Sequence, residues 1–200
     1  MVDPKTIKYR NITISGMICT GTSTLSGQLI EKLGWKHWNA GQFFRDYCKE
    51  NKLKLENTSD RSDDLARQVE YGMRKDLQEK SGQLMEAWLS GFVAQGLKGV
   101  LKVLLVCDDS LRVDRFVNRE GVKVEEAKDH LRKREHENAK KWTRVYKNEW
   151  AKWVAKDKQL LRREKNFFDF WHPDLYDLVI DTYSNSKEET LHTVLKSLSL

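Results

Sequence analysis

Gly16 to Ser23 read G-M-I-C-T-G-T-S, two glycines five positions apart followed by two hydroxyl residues. This is the spacing of a phosphate-binding loop, G-x-x-x-x-G-K-[ST], with Thr22 standing where lysine belongs. Gly16 and Gly21 permit the torsions that turn successive backbone N–H groups inward, which makes an anion nest at a helix N-terminus. The candidate phosphate contacts are Gly16, Cys19, Thr20, Gly21, Thr22, Ser23 and Thr24. Ser23 can place its hydroxyl on Mg2+, and Thr24 can cap the helix or touch phosphate. Thr22 lacks the point charge that a lysine sets between the outer phosphates. The alternative is an ordinary strand-to-helix turn; the flanking residues favour the phosphate loop.

Other residue types extend that chemistry. Arg45 follows Phe44 on a short helix after Asn39-Ala40-Gly41. Its planar guanidinium suits a forked contact to phosphate better than an ammonium does, although a solvated helix charge is the plainer alternative. Glu86, near the end of a short strand, could hold Mg2+ through water or orient an attacking phosphate oxygen. It could equally be a buried partner for a nearby cation. Arg112, Arg115 and Arg119 recur at spacings of three and four and so share one helical face. Such a face could close over phosphates as a lid and neutralise charge that spreads in a transition state, or could simply be solvated. Arg134, on the next basic stretch, is a further lid candidate. Asp181, ending the last strand, lies where doubly wound sheets bind ligands, or caps the following turn.

The five histidines have no metal spacing. His130 and His136 fall on a charged helix and are expected at its solvent face. Met73, Met85 and Trp88 are expected to be core or pocket lining. No Ser-His-Asp or Cys-His nucleophile is marked. Trp142, Tyr146, Trp150 and Trp153 alternate with Lys140, Lys141, Lys147 and Lys152. That interleaving could stack on bases, but a helix packing its aromatic stripe on the domain gives the same pattern and is preferred.

These residues need elements to hold them. Lys8 to Ser15 alternates Ile with Thr as a strand, and Leu25 to Leu33 reads as a helix stopped by Gly34. Strand, glycine loop and helix open an α/β fold. Gln42 to Asn51 predicts a short helix, Asp60 to Lys80 an amphipathic helix, and Gln83 to Leu89 a second strand. Lys102 to Cys107 is almost wholly apolar, the mark of a strand covered on both faces of a parallel sheet. Ser110 to Arg119 predicts a helix, and Val124 to about Arg163 one long or two joined basic helices. Asp177 to Asp181 is the last strand, and Lys187 to Leu200 a closing helix. The expected fold is a doubly wound α/β domain with a parallel sheet of about five strands, helices on both faces and a helical lid.

The bulk numbers bound the rest. Two hundred residues with two prolines and no Gly/Ser linker suggest one domain. With 39% hydrophobic and 33% charged residues, the chain is polar but not poor enough in apolar residues to be disordered. No apolar run approaches the roughly 20 residues that span a bilayer. Three scattered cysteines (Cys19, Cys48, Cys107) suit a reducing cytoplasm, and no signal peptide is evident. A net charge of +6 fits either a nucleic-acid surface or a pocket for several phosphates.

With the loop in place, the chain from Ile12 to Ser184 resembles the cytidylate kinase family, especially its short archaeal-type branch. I-T-I-S-G (Ile12 to Gly16) and L-I-E-K-L-G-W (Leu29 to Trp35) are similar to that family's first strand and helix. N-A-G-Q-F-F-R (Asn39 to Arg45) is similar to its S-A-G-x-x-F-R segment, which receives the monophosphate. M-E-A-W-L-S-G (Met85 to Gly91) resembles L-E-G-R-L-[SA]-G, R-F-V-N-R-E-G (Arg115 to Gly121) the start of the lid, and Y-D-L-V-I-D-T (Tyr176 to Thr182) the last strand. The resemblance implies transfer of the ATP γ-phosphate to CMP or dCMP with Mg2+. Gly41, Arg45, Trp88 and Asp181 would then contact the acceptor, Arg115, Arg119 and Arg134 would serve as lid arginines, and Ser23 and Glu86 would hold the metal. It further implies small-molecule nucleotides as partners rather than nucleic acid or membrane, and a monomer or weak dimer. The chain departs from the family pattern in three places. Thr22 replaces lysine, Ala87-Trp88 replace glycine-arginine, and the segment from Lys147 to Pro173 is longer and rich in Trp, Lys and Arg.

Overall fold

A computed structural model describes residues 8–55, 57–154 and 167–198. Five strands form one parallel sheet in the order β2-β3-β1-β4-β5. They are β1 (Asn11–Gly16), β2 (Lys36–Asn39), β3 (Gln83–Glu86), β4 (Val100–Val106) and β5 (Leu178–Asp181). The helices are α1 (Thr22–Leu33), α2 (Ala40–Glu50), α3 (Asp63–Glu79), the single turn α4 (Ser90–Val93), α5 (Asp109–Glu120), α6 (Val124–Val145), α7 (Lys147–Trp153) and α8 (Lys187–Leu198).

Alternation along β1 divides the molecule into two layers. Ile12 and Ile14, both fully buried, pack with Leu25 and Leu29 of α1 and Val194 and Leu198 of α8. The opposite face carries the buried polar residues Asn11, Thr13 and Ser15, of which Asn11 and Ser15 find side-chain partners there while the Thr13 hydroxyl has none among the described residues. Asn11 Nδ2 donates to the carbonyls of Leu77 (3.0 Å) and Lys80 (2.8 Å), satisfying the end of α3, while its Oδ1 accepts from the backbone N of Gln83 (2.9 Å). Ser15 Oγ lies 2.9 Å from Ser90 Oγ and accepts from Gly91 N at the start of α4. Ser62 caps the N-terminus of α3 through Leu65 N.

The expected strands and helices are present, with two differences. The edge strand β2, K-H-W-N, has no apolar alternation to announce it. The strand from Gln83 stops at Glu86, because Ser90 Oγ donates to the carbonyls of Ala87 and Ile14 and turns the chain into α4. The basic stretch is two joined helices, α6 and α7, parted at Tyr146; the part of that expectation beyond Val154, like residues 199 and 200 of the expected closing helix, lies outside the described residues. The aromatic stripe packs inward: Tyr146, Trp150 and Trp153 all lie 5.3–6.1 Å from the Phe92 ring. Cations on α6 hold the start of α3 and the turn before it, since Lys141 Nζ donates to the carbonyls of Thr58 and Arg61, and Arg144 forks to Asp63. No described helix is long and apolar enough to cross a membrane.

Glu70 of α3 is 5% exposed, its Oε2 has no hydrogen-bond partner among the described residues, and burial pushes its carboxyl up to about 8. The ordinary value in the unfolded chain is 4.5. Between these values the folded protein keeps a proton that the unfolded chain releases. Stability is therefore full below the lower value and is lost as pH rises toward the upper one, by on the order of a few kcal/mol. Glu70→Gln is expected to flatten that fall, measured as melting temperatures from about pH 5 to 9. Parallel curves for parent and variant would rule out a neutral buried Glu70.

Candidate functional site

The carboxyl ends of β1 and β4 meet the N-terminus of α1 in a tight turn. A Cβ at Gly16 would lie 2.3 Å from Thr20 Oγ1 and 2.9 Å from the Leu105 carbonyl, so no larger residue fits. Gly21, the N-cap of α1, has φ +98, and Cys19 has φ +66, the left-handed conformations that fold the loop back on itself. α1 has no side-chain cap and no acidic residue in its first turn, which leaves its first N–H groups for an anion. Thr20 is buried behind the loop, its hydroxyl donating to the Met17 carbonyl at 2.9 Å.

Glu86, 5% exposed, is the hub beneath this loop. Its Oε1 accepts from Ser23 Oγ (2.6 Å) and Thr22 Oγ1 (3.0 Å); its Oε2 accepts from Asn39 Nδ2 (2.7 Å) and lies 3.1 Å from His37 Nε2. Burial pushes its carboxyl up, but the bonds from His37, Ser23 and Thr22 outweigh burial and hold it below its ordinary value. The residue in the lysine position thus spends its hydroxyl on this carboxylate. Oxygen donors from Ser23 and an ionised Glu86 suit Mg2+, which keeps water and phosphate ligands rather than a protein cage. Among the described residues no cluster of three His, Cys, Asp or Glu side chains could make such a cage.

The three arginines on one face of α5 have separate fates. Arg112 is buried and ties down the loop, donating Nε to the Ile18 carbonyl (2.9 Å) and pairing with Asp109 (2.6 Å) and Glu135. Arg115 Nη1 donates to the Cys19 carbonyl (3.0 Å) and Thr182 Oγ1 (3.2 Å), and Thr182 Oγ1 donates to the Thr20 carbonyl (2.9 Å). Arg115 therefore braces the loop against the end of β5. Arg119 reaches the cavity with its side chain half exposed, paired with Glu120 at 2.7 Å and lying 5.2 Å from the Phe116 ring. Burial pushes the Cys19 thiol up despite these three arginines nearby.

One cavity of about 730 Å³ gathers most of the candidates. Gly16, Cys19, Gly21, Thr22, Ser23 and Thr24 line one side of it, and Gly41, Arg45, Glu86 and Trp88 another. Arg115, Arg119 and Arg134 line it from α5 and α6. Arg45 is exposed, its Nη2 donating to Gln42 Oε1 at 2.9 Å. Trp88 meets Trp142 and Trp171 edge-on at 5.4 and 6.0 Å, with the Arg134 guanidinium 5.7 Å from its ring. Asp181 is not in the lining; it caps the turn after β5, accepting from Tyr183 N (2.9 Å) and Ser184 Oγ (2.6 Å). A larger hollow of about 1180 Å³ between α5, α6 and residues 167–171 touches the loop only at Met17, and neither the loop glycines nor Arg45 line it.

Sequence reasoning missed Asn39, His37 and Thr182. An asparagine before a helix is a capping signal; a lone histidine and a threonine after the last strand carry none. His130 and His136, expected at the solvent face, are half-buried, against Phe116 (4.9 Å) and Phe167 (5.2 Å) respectively. Met73 and Met85 are core, as expected.

The family described as AAA domain matches residues 12–140. Cytidylate kinase of Methanopyrus kandleri is 30% identical over 197 residues, covering 93% of this chain and 91% of that protein. Cytidylate kinase of Pyrococcus horikoshii is 32% identical over 138 residues, 68% of this chain and 70% of that one. A solved gluconokinase from Sinorhizobium meliloti is similar with a TM-score of 0.55 at 12% identity, covering 96% of this chain and 93% of that one, a likeness of fold. With a phosphate loop after its first strand and these relatives matched over most of its length, the chain belongs to the cytidylate kinase family, within the AAA-domain group of P-loop proteins.

Proposed function

We propose that this protein transfers the γ-phosphate of ATP to a nucleoside monophosphate, CMP or dCMP. The observation that carries the proposal is the cavity that Gly16, Cys19, Gly21 to Thr24, Glu86, Arg45 and Arg119 line together. Phosphoryl transfer needs little covalent help from a protein; it needs two substrates held in line and their charge neutralised. Backbone N–H groups of the loop and the N-terminus of α1 would hold the ATP phosphates. Ser23 and Glu86 would hold Mg2+, which neutralises charge on the phosphate oxygens when bound. Arg45 would fork to the acceptor phosphate, with Gly41 and Trp88 beside it, while Arg119 and Arg134 close from α5 and α6. In this proposal residues 1–200 act as one cytoplasmic domain, with acceptor helices in about 40–80 and the lid and basic extension in about 112–170. Asp181 has no part in it.

Acceptor-dependent ADP release, measured over a panel of monophosphates, tests the reaction directly. Arg45→Ala is expected to weaken monophosphate binding by about 2–5 kcal/mol, the scale for losing one partner of a desolvated charge pair. ATP affinity should hardly change, because Arg45 makes no bond to the loop. Equal losses for both nucleotides would indicate a folding role instead. One observation favours a second reading, a nucleotide-binding protein with weakened turnover. The Thr22 hydroxyl is directed at Glu86, so position 22 brings no charge toward the outer phosphates.

A further inference from the structure

Asn39 stands between the two sides of the cavity with both ends of its side chain engaged. Parallel pairing of β2 with β3 sets Asn39 opposite Glu86 at the carboxyl ends of adjacent strands. Its Oδ1 accepts from Gln42 N at 2.8 Å and caps α2. Its Nδ2 donates to Glu86 Oε2 at 2.7 Å. This orientation of the amide is dictated, because a backbone N–H can only donate and an ionised carboxylate can only accept. Glu86 in turn holds Ser23 and Thr22 at the start of α1. α2 carries Arg45, bonded to Gln42 Oε1. A Cβ at Gly41 would sit 3.1 Å from Asn39 Oδ1 and 3.3 Å from Arg45 Nη1, so amide and guanidinium crowd the same glycine.

We infer that Asn39 is a positioning residue that couples the two nucleotide sites through Glu86 and the N-terminus of α2. Nucleotide on the loop engages Ser23 and Glu86; Asn39 carries that arrangement to α2 and Arg45, and each substrate binds more tightly when the other is present. The inference rests on the phosphoryl-transfer proposal. Residue type is restrictive here. Aspartate would accept at both ends, and serine would cap α2 without reaching Glu86. Asparagine has a donor and an acceptor on one short side chain.

Calorimetry with CMP and with the β,γ-imido analogue of ATP plus Mg2+ tests it. Each ligand is titrated alone and in the presence of the other. The parent should show affinities raised by the same factor in both directions, about fivefold or more, since coupling between sites is reciprocal. In Asn39→Ser the cap on α2 is kept, the link to Glu86 is lost, and the factor should fall toward one. The factor is a ratio, so it divides out any affinity loss common to both conditions, which is all that a merely structural role would produce. A parent factor of one overturns the inference, as does an unchanged factor in Asn39→Ser. Should the serine variant fail to fold, Asn39→Asp keeps the cap, presents an acceptor to Glu86, and is judged by the same factor. No binding of CMP or any other monophosphate to the parent sinks the acceptor assignment and the coupling together. Binding without coupling sinks the coupling alone.

Discussion

Gly21→Val is expected to abolish ATP binding while the sheet still folds. Space is not the obstacle: a Cβ at Gly21 would meet nothing closer than Thr182 Cγ2 at 4.0 Å. The obstacle is the torsion, φ +98, where a β-branched residue is strained. Relief of that strain swings the preceding peptide and turns the first N–H groups of α1 away from a common centre. The core of β1 and α1, built on Ile12, Ile14, Leu25 and Leu29, does not depend on that torsion. Gly16→Ala should also lose binding for the opposite reason, since its Cβ would meet the Leu105 carbonyl and Thr20 at distances no rearrangement of one flexible side chain relieves. Calorimetry with ATP, paired with circular dichroism for the fold, checks both. Parent-like ATP affinity in Gly21→Val would mean that the loop is not the phosphate site.

Arg119→Ala is expected to lower turnover by about 10³-fold or more, the scale of a lost transition-state arginine, with ATP affinity nearly intact. A working site without lysine at position 22 must draw positive charge from elsewhere, and α5 brings Arg115 and Arg119 to the cavity beside the loop. Arg119 is the member of its face whose loss the fold should tolerate, since its pairing with Glu120 is exposed and contributes little to stability. Arg112 and Arg115 hold loop carbonyls, so their removal should disturb ATP binding as well. Thr22→Lys should partly rescue Arg119→Ala, because both charges would serve the same phosphate oxygens and so be non-additive. Steady-state ADP release on the two single variants and the double variant measures this. If the parent has no turnover with any monophosphate and Thr22→Lys switches turnover on, the protein is a binding-only descendant and the proposed reaction is wrong.

What was legible in the sequence was local. The loop glycines, the alternation of β1 and the apolar run of β4 each report a conformation set by residues within a few positions. The partner of Thr22 and Ser23 is not local, since Glu86 arrives from the next strand in space rather than in sequence. Arg115 looked like a free lid residue because its spacing says only which helical face it shares. Its bond to Thr182, 67 positions away, exists only once β5 has closed on the loop. The break at Tyr146 has no glycine or proline to signal it, because burying that ring, 0% exposed, is a demand of the surrounding core. β2 hid for a related reason. A polar edge strand is defined by the neighbour it pairs with, and Asn39 acquires its meaning from its register against Glu86.

The strand order also has a history written into it. β1 is the central strand and the first of the five to be synthesised, yet both of its neighbours, β3 and β4, lie beyond the whole of α1 to α3 in the chain. Until those neighbours are made, Ile12 and Ile14 have no sheet to enter, and the Asn11 amide has no helix end to close. Pairing β1 therefore closes long loops, whose entropy must be met before any contact rewards it, and this places the nucleotide cradle among the late products of folding. In the interval β1 is open on two edges, with its backbone donors and acceptors bare to any strand that passes. The nascent chain is most prone to aggregate in the stretch of synthesis between Gly16 and Gln83, and a chaperone has most to protect there.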